Sequence, residues 1–431
     1  MQTARIFLSF LLLFPVAALA QHQGHSSGAP ETGASAPVVP TRLKSDSLVV
    51  GDSLARVCKP RTKVSVDAYT RCLGEGLSSV SARGNIALAL STLDLIVSRD
   101  SSLASFGHPL AHALGYAVRS TQATVSPLIA QCDERYQAGC AHGILQRYFD
   151  GQSGSAITDA VLRAPCADFR GAPELFRLFD CLHGTGHGLM MYHRYEPQPA
   201  LEGCDRLTAA WEKQSCYGGV FMEYNAMARV RSLGDPTHGL HKHAEPRAGV
   251  TLFRADDLHF PCSATSAKYR FACYDLQADL ILPAVKHDYA RAARVCDDAG
   301  ELALVRSCYA GLGRNAAGGA AATDFPGIHM RCDKSSAAGI GYCYQGAARQ
   351  LAYGPAELPR GVSFCGSLPG GESRERCWNG LGMQISTFFG ATAARKQACR
   401  SGRAADERAC TTGAGIAVPV VLPGNAATPS P

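Results

Sequence analysis

The stretch DYARAARVCDDAGELALVRSCYAGLGRNAAG, residues 288–318, decides the fold. YARAARVC predicts one helix, DDAG a turn, and ELALVRSCYAGLGRNAA a second helix. Cys296 and Cys308 fall one on each helix, so a disulfide between them would staple an antiparallel hairpin. The small glycines after Cys308 would let the second helix approach its neighbours closely.

The same cysteine pattern recurs along the chain with a period near 34–35 residues. The eighteen cysteines form nine neighbouring pairs, and in seven units a glycine stands three residues after the second cysteine. One interval spans two periods, with Phe106 in the cysteine's place, and another holds about 22 inserted residues. The sequence therefore predicts an all-α fold, an array of about ten disulfide-stapled helical hairpins wound as an α-solenoid or superhelix.

This pattern resembles the Sel1-like, disulfide-stapled helical repeats of secreted bacterial proteins. The shared features are helix–turn–helix units with a cysteine pair that bridges each hairpin, and Cys132 and Cys140 have the C-x7-C spacing typical there. The other pairs are wider, and the remaining consensus of that family is not followed. The resemblance covers the repeat region, and it implies an architecture rather than an activity.

The first residues predict a signal peptide. Arg5 supplies the positive charge, an apolar run follows, and Ala18-Leu19-Ala20 offers a small-x-small cleavage site. The alternative is a membrane anchor, but the apolar run of about 14 residues is shorter than the ~20 that a span needs. We expect a periplasmic or secreted protein without a membrane span, divided into a signal peptide (1–20), a flexible linker (21–50), a helical repeat domain (51–416) and a disordered tail (417–431).

The composition and the cysteine pattern argue against several classes of function. The formal net charge is +6 and the basic residues are dispersed, so nothing indicates a nucleic-acid partner. Eighteen cysteines in an exported chain indicate disulfides, because that compartment is oxidising. The absence of a C-x-x-C motif argues against thioredoxin-like chemistry and against a zinc ribbon.

Histidines recur at one position of three consecutive units. His108, His142 and His183 each stand two residues after the second cysteine or its replacement, which we call the +2 position. His112 and His187 stand at the +6 position, so two units carry an i, i+4 pair on one helix face. Because packed helices lie about 8–10 Å apart, these imidazoles can converge between neighbouring units.

We interpret these five histidines as metal ligands in the units at about residues 100–230. Neutral imidazole suits copper, zinc and iron, and the cysteines are expected to be consumed in disulfides. Met190, Met191 and Met222 lie close by and favour copper, although core packing explains any one of them as well. Two alternatives remain open: a purely structural polar network, and metal-free acid–base chemistry by imidazole.

Glu223 is the candidate catalytic residue. It is the only acid in GGVFMEYN, in the unit that follows the last histidine pair. It could bind the metal, act as a general base on metal-bound water, or orient an imidazole. The alternative is a buried ion pair with Arg147 or with an arginine beyond it. Neither histidine pair carries the glutamate of an H-E-x-x-H site, which argues against a zincin.

The sequence also suggests roles for two further regions. The insertion at 231–250 contains His238, His241 and His243, and it is either a lid with extra ligands or a solvated loop. The C-terminal repeats at 262–416 could bind a protein partner.

The leading functional hypothesis is an exported metalloprotein, and we lean toward a metal-dependent enzyme, redox or hydrolytic. Its substrate would be a small molecule or peptide that the sequence does not identify. Two alternatives from other classes are a periplasmic copper or zinc binding or storage protein, and a metal-free repeat scaffold for protein–protein interaction.

Overall fold

A computed structural model describes residues 41–171, 175–234, 245–318 and 324–416. Within these ranges the regular structure is helical and no strand occurs, so the all-α prediction is confirmed. The expected signal peptide, residues 21–40 of the expected linker and the expected tail lie outside the described residues. So do His238, His241 and His243 of the insertion.

Among the described residues, ten helices pack one against the next in chain order and form what we call the central row. Each carries the second cysteine of its unit, except the second helix of the row, which follows Phe106. The count of ten units is therefore confirmed. The central row consists of α2 (Val66–Ala82), α4 (Gly107–Tyr116), α6 (Gly139–Asp150), α8 (Phe176–Tyr192), α10 (Ala210–Ser232), α11 (Ala267–Ala284), α13 (Leu302–Gly318), α15 (Ile340–Leu351), α17 (Glu372–Phe388) and α19 (Ala404–Gly413).

Flanking helices form the first limb of each hairpin. They are α1 (Thr41–Cys58), α3 (Ile86–Arg99), α5 (Val125–Ile129), α7 (Asp159–Arg163), α9 (Pro197–Asp205), α12 (Tyr289–Asp297), α14 (Phe325–Cys332), α16 (Leu358–Ser367) and α18 (Thr392–Ala398). The quoted stretch folds as predicted, into α12, a turn and α13. The first limb is shorter elsewhere: α5 and α7 have five residues each, and the limb before α11 is a 3-10 helix at Cys262–Ala264. Pro165 and Pro261 lie in or next to these short limbs, where a missing N–H disfavours a longer helix.

The helical domain begins earlier than the sequence predicted. Helix α1 begins at Thr41, so residues 41–50 belong to a helix and not to the linker expected at 21–50. This segment has no turn-forming cluster of Gly and Pro, and its apolar residues Leu43, Leu48 and Val49 allow a helix. The linker expectation extended the Gly- and Ser-rich composition of residues 21–40 too far along the chain.

Nine disulfides join the neighbouring cysteine pairs, as the repeat predicted. Each joins the first limb, or a residue within three positions of its end, to the central row across a Cα–Cα distance of 5.4–5.7 Å, and the described residues include no free cysteine. Closing a loop of about 15 residues, as Cys166–Cys181 does, stabilises a fold by roughly 3 kcal/mol in the chain-entropy view. So many disulfides are typical of an oxidising compartment.

Helices of the central row touch backbone to backbone at the repeat glycines. A Cβ atom added at Gly143 would lie 2.1 Å from the carbonyl oxygen of His112. The same atom at Gly219 would lie 1.8 Å from the carbonyl oxygen of His183, and at Gly313 it would lie 1.8 Å from that of Cys343. Any side chain at these places would push the helices apart, so the glycines bring neighbouring +2 and +6 positions close together.

The central row curls back on itself. The Phe176 ring lies 5.8 Å from that of Tyr353 and 5.4 Å from that of Phe388. The N–H of Leu175 donates to the carbonyl of Phe388 at 2.9 Å, and Tyr353 donates its hydroxyl to buried Asp180 at 2.9 Å. Helix α8 thus contacts α17, five helices later in the row, so the row is curved enough for distant units to touch.

Candidate metal centre

The five predicted histidines come together inside the N-terminal part of the central row, on α4, α6 and α8. His142 stands in the middle. Its ring centroid lies 6.1 Å from that of His108, 5.4 Å from His112, 5.2 Å from His183 and 4.9 Å from His187. The shared +2 and +6 positions therefore do bring these side chains to one place.

Three of the five are close enough to share one ion. One nitrogen from each of His108, His112 and His142 lies within 4.8 Å of the other two. Ligand nitrogens around a tetrahedral metal, with bonds of ~2.0–2.1 Å, lie about 3.3 Å apart, so small ring rotations would close the site. His183 and His187 flank these three, with their centroids 5.1 Å from each other, and that of His187 lies 5.5 Å from His112.

Backbone carbonyls fix the orientation of two imidazoles. The Nδ1 of His108 lies 2.6 Å from the carbonyl oxygen of Tyr136, and the Nδ1 of His183 lies 3.2 Å from that of Ser215. A carbonyl oxygen only accepts hydrogen bonds, so each Nδ1 carries the proton. The Nε2 atom of each ring is left with its lone pair, which is the form that binds a metal.

Side chains fix two more imidazoles. The Nδ1 of His187 lies 2.9 Å from a carboxylate oxygen of Glu223, and that of His112 lies 3.1 Å from the amide oxygen of Gln146. Gln146 donates its Nε2 to Glu223 at 2.7 Å, which turns its oxygen toward His112. Metal-binding histidines almost always donate the other ring N–H to a carboxylate or carbonyl, and here four of the five have such an acceptor.

His142 differs from the other four. It is 1% exposed, and neither of its ring nitrogens has a hydrogen-bond partner; Nε2 of His187 has none either. Leaving a buried polar atom unsatisfied costs about 1–3 kcal/mol. Burial, followed by the neighbouring His187, holds the pKa of His142 well below its usual 6.5, so the ring is neutral. Burial and then His187 also lower the pKa of His183.

Glu223 is 1% exposed and contacts the imidazole cluster through His187. One carboxylate oxygen accepts from His187 and Gln146, and the other accepts from the hydroxyl of Tyr195 at 2.8 Å. This geometry fits the orienting role, one of the three that the sequence left open. Arg147, the alternative ion-pair partner, lies 3.2 Å from Asp150 instead.

Sequence reasoning left several contributors out of the candidate site. Gln146 occupies the +6 position of α6, so its position was a usable signal. Tyr195 gave none, because it reaches Glu223 from a turn after α8 in which its φ is 65°. Of the methionines taken to favour copper, Met190 and Met191 belong to the hydrophobic core and Met222 packs against it.

Glycines make room beside the imidazoles. A Cβ atom at Gly184 would lie 2.9 Å from the ring of His142, and one at Gly139 would lie 3.1 Å from the ring of His112. At Gly218, the +2 position of α10, it would lie 3.3 Å from Nδ1 of His183. The helices can therefore enclose five imidazoles because their neighbours contribute no side chain there.

Comparisons with known proteins returned no match. No family model matches the chain, and neither does a curated protein or a solved structure. The resemblance to Sel1-like repeats accordingly stays a prediction. Of the helices that the structure describes, none combines the length and the apolar character that a membrane crossing requires.

Proposed function

We propose that this chain is an exported metalloprotein whose His108, His112 and His142 bind a transition metal ion, with His183 and His187 as further ligands. The observation that carries the proposal is the buried, neutral His142, whose two nitrogens lack partners among four imidazoles. A metal ion would satisfy lone pairs that the protein itself leaves unsatisfied. The nine disulfides support a periplasmic or secreted location.

Copper is the metal that we favour, and zinc and iron are the other candidates. The ligand set is neutral imidazole, because the described cysteines are in disulfides and contribute no thiolate. Such a set suits copper, zinc and iron and is poor for magnesium and calcium, which prefer oxygen. Metal identity decides between redox and hydrolytic chemistry.

The function that we favour is a metal-dependent enzyme acting on a small molecule or peptide. Glu223 would be its acid–base or orienting residue, acting through His187, with which it shares a 2.9 Å hydrogen bond. A second candidate is copper or zinc storage or transport, and one observation favours it: His112, His142 and His187 are at most 3% exposed. Deep burial holds an ion well and admits a substrate poorly.

Metal analysis of the purified protein tests the proposal. The chain is produced in an oxidising compartment and its copper, zinc and iron are measured by mass spectrometry, beside His142→Ala and His329→Ala. His329 is a matched control, since it lies on α14 and contacts Tyr344 and Phe364. We expect one or more ions per chain, lost in His142→Ala and retained in His329→Ala.

Two outcomes would contradict the metal centre: a folded protein without metal, or full occupancy in folded His142→Ala. The first would favour the scaffold hypothesis and a protein partner for the C-terminal repeats. If copper is present, its electron paramagnetic resonance spectrum distinguishes the two metal functions. A spectrum altered by azide indicates an open coordination position and an enzyme, and an unaltered one indicates storage.

A further inference from the structure

His142 stands between two pairs of histidines, one on each neighbouring helix. Helix α6 packs against α4 on one side and against α8 on the other. On α4 the ring centroids of His108 and His112 lie 4.5 Å apart, and on α8 those of His183 and His187 lie 5.1 Å apart. The ring of His142 contacts all four, so it is the one imidazole that both pairs share.

His142, His183 and His187 have the ring spacing of three ligands on one ion. Metal–nitrogen bonds of ~2.0–2.1 Å put imidazole centroids about 3 Å from a tetrahedral ion and about 5 Å from one another. The three centroid distances here are 5.2, 4.9 and 5.1 Å. Rotation about the Cβ–Cγ bonds turns the nitrogens toward a common point and leaves the centroids nearly in place. These three residues form a second set of ligands.

The first set consists of His108, His112 and His142, whose nitrogens lie within 4.8 Å of one another. One ion reaches only rings whose centroids lie within about 6 Å of each other, which is twice the distance from ion to centroid. His108 and His142 are already 6.1 Å apart, and His183 lies beyond His142 on α8. Two ions therefore suit the five rings better than one, with His142 in both sets.

The ring of His142 is able to serve two ions. It is 1% exposed, and neither Nδ1 nor Nε2 has a hydrogen-bond partner. In His183 the Nδ1 atom faces the carbonyl of Ser215, so that ring binds a metal only through Nε2. The Nδ1 of His187 is held in the same way by Glu223. A ligand that supplies one nitrogen usually has the other engaged by the protein, and His142 has neither engaged.

We propose that His142 bridges two metal ions, one bound by the histidine pair on α4 and the other by the pair on α8. When both ions bind, the ring loses its N–H proton to solvent, and each nitrogen of the imidazolate forms one bond to one ion. Two such bonds across the ring place the ions about 6 Å apart. This inference rests on the proposed metal function and adds a second ion to it.

The bridge limits the positive charge that the buried site must hold. Two metal ions concentrate charge in a place with little water, where charge without compensation is costly. The imidazolate of His142 supplies one negative charge between the ions. The carboxylate of Glu223 lies 2.9 Å from His187 and supplies another beside the second set. Each ion has three protein nitrogens, so each keeps an open coordination position.

Metal stoichiometry tests the second ion separately from the metal function. The metal-free chain is loaded with copper(II), weakly held copper is removed with a chelator, and the ions per chain are counted by native mass spectrometry. The proteins are wild type, His108→Asn, His183→Asn and the control His329→Asn. His108→Asn removes a ligand from the first set only, and His183→Asn from the second set only. We expect two ions in wild type and in the control, and one ion in each of the other two variants.

The counts distinguish the two proposals. Wild type without copper would contradict the metal function and the bridge together. One ion in wild type would leave the metal function intact and overturn the second ion. Two ions in His183→Asn would overturn the second set of ligands.

Electron paramagnetic resonance distinguishes a bridge from two separate ions. Copper(II) ions joined by an imidazolate couple antiferromagnetically, so at liquid-helium temperature wild type should give a signal well below that of two ions. His183→Asn should give the full signal of one uncoupled ion. A wild-type signal equal to that of two independent ions would overturn the bridge through His142.

Discussion

The two halves of the central row share one pattern of helix packing, which we call the frame, but they enclose different side chains. In α4–α8 the +2 and +6 positions carry five histidines and Gln146, and in α11–α15 they carry two aspartates, two arginines, Ala310 and Gln345. The glycine contacts are the same in both: a Cβ at Gly143 or at Gly313 would lie about 2 Å from a carbonyl of the next helix. The frame fixes where these side chains meet, and residue type at two positions decides what they do.

The halves also differ in how their polar groups are satisfied. In the C-terminal half Arg349 pairs with Asp275, and Arg314 with Asp279. In the N-terminal half His142 is buried with neither ring nitrogen hydrogen-bonded. The C-terminal half also has unsatisfied buried atoms, Nε of Arg314 and Nε1 of Trp378, but both of these can only donate. His142 offers an unsatisfied lone pair, so the N-terminal half is the one whose unsatisfied group suits a metal ligand.

The contact between Asp180 and Tyr353 joins the two halves, and changing it gives the largest expected effect on the free energy of unfolding. Asp180 of α8 is buried beside Tyr353, and burial raises its pKa from 3.8 to about 8. The folded state then binds more protons than the unfolded state between these values. The contribution of Asp180 to the free energy of unfolding is therefore fully present below about pH 4 and is lost as the pH rises toward 8. At roughly 1.4 kcal/mol per pKa unit, the loss amounts to a few kcal/mol.

Asp180→Asn should remove this loss. We expect the difference in unfolding free energy between pH 5 and pH 8 to be smaller in Asp180→Asn than in wild type by a few kcal/mol. Urea unfolding at both pH values measures it, with exposed Asp168→Asn as the control. A variant with the same pH dependence as wild type would show that Asp180 is ionised in the fold and that the joining contact carries no pH sensitivity.

The shared frame predicts equal effects of matched glycine substitutions. Gly219→Ala and Gly313→Ala each place a methyl group 1.8 Å from a carbonyl oxygen of the next helix. We expect each to lower the unfolding free energy by about 2–3 kcal/mol, because the helices must separate. Gly366→Ala is the control, since nothing lies within 4 Å of its added atom.

Denaturant unfolding of the three variants measures this prediction. Gly366→Ala should be neutral or slightly stabilising, because alanine is the better helix former. A large loss in only one of the first two variants would contradict a frame shared by the two halves.

Much of the frame was predictable because a regular spacing of residues in the sequence indicates a repeated structural unit. The spacing of cysteines and glycines predicted ten units and nine neighbouring disulfides, and counting from Phe106 placed His108 and His112 in the same cluster as His142. The short limbs α5 and α7 and the helical residues 41–50 were not predicted. Local composition sets those features, and the repeat period carries no information about them.

The hydrogen-bond partners of the site were not predictable from the period. Gln146 on α6 reaches Glu223 on α10, two helices further along the row, past the intervening helix α8. Tyr195 reaches the same carboxylate from an irregular turn. Asp180 and Tyr353 are 173 residues apart and meet through the same curvature. Superhelical curvature arises from packing summed over several units, and a single repeat does not encode it visibly.

Glu223→Gln tests how the N-terminal half orients its ligands. The amide keeps the shape but loses the charge that accepts from His187, Gln146 and Tyr195. We expect metal affinity to fall about 10–100-fold while the fold is retained, as is usual when an orienting carboxylate is lost. Competition with a chelator measures the affinity.

Asp275→Asn is the control for Glu223→Gln, since it loses a carboxylate charge at the +2 position of α11. Its metal affinity should equal that of wild type. Equal affinity in Glu223→Gln and wild type would show that the carboxylate does not act through His187, and would return Glu223 to a structural role.

The smallest expected effect is a change in unfolding free energy that has opposite signs at His142 and at His329. In the metal-free protein His142→Leu replaces two unsatisfied buried nitrogens with apolar surface, so the unfolding free energy should rise by about 1 kcal/mol. His329→Leu loses a 3.1 Å hydrogen bond to Tyr344, so its unfolding free energy should fall by a similar amount. Chemical unfolding in excess chelator measures both. A destabilised His142→Leu would mean that the ring is satisfied within the folded chain, and the main physical reason for a metal at this centre would be lost.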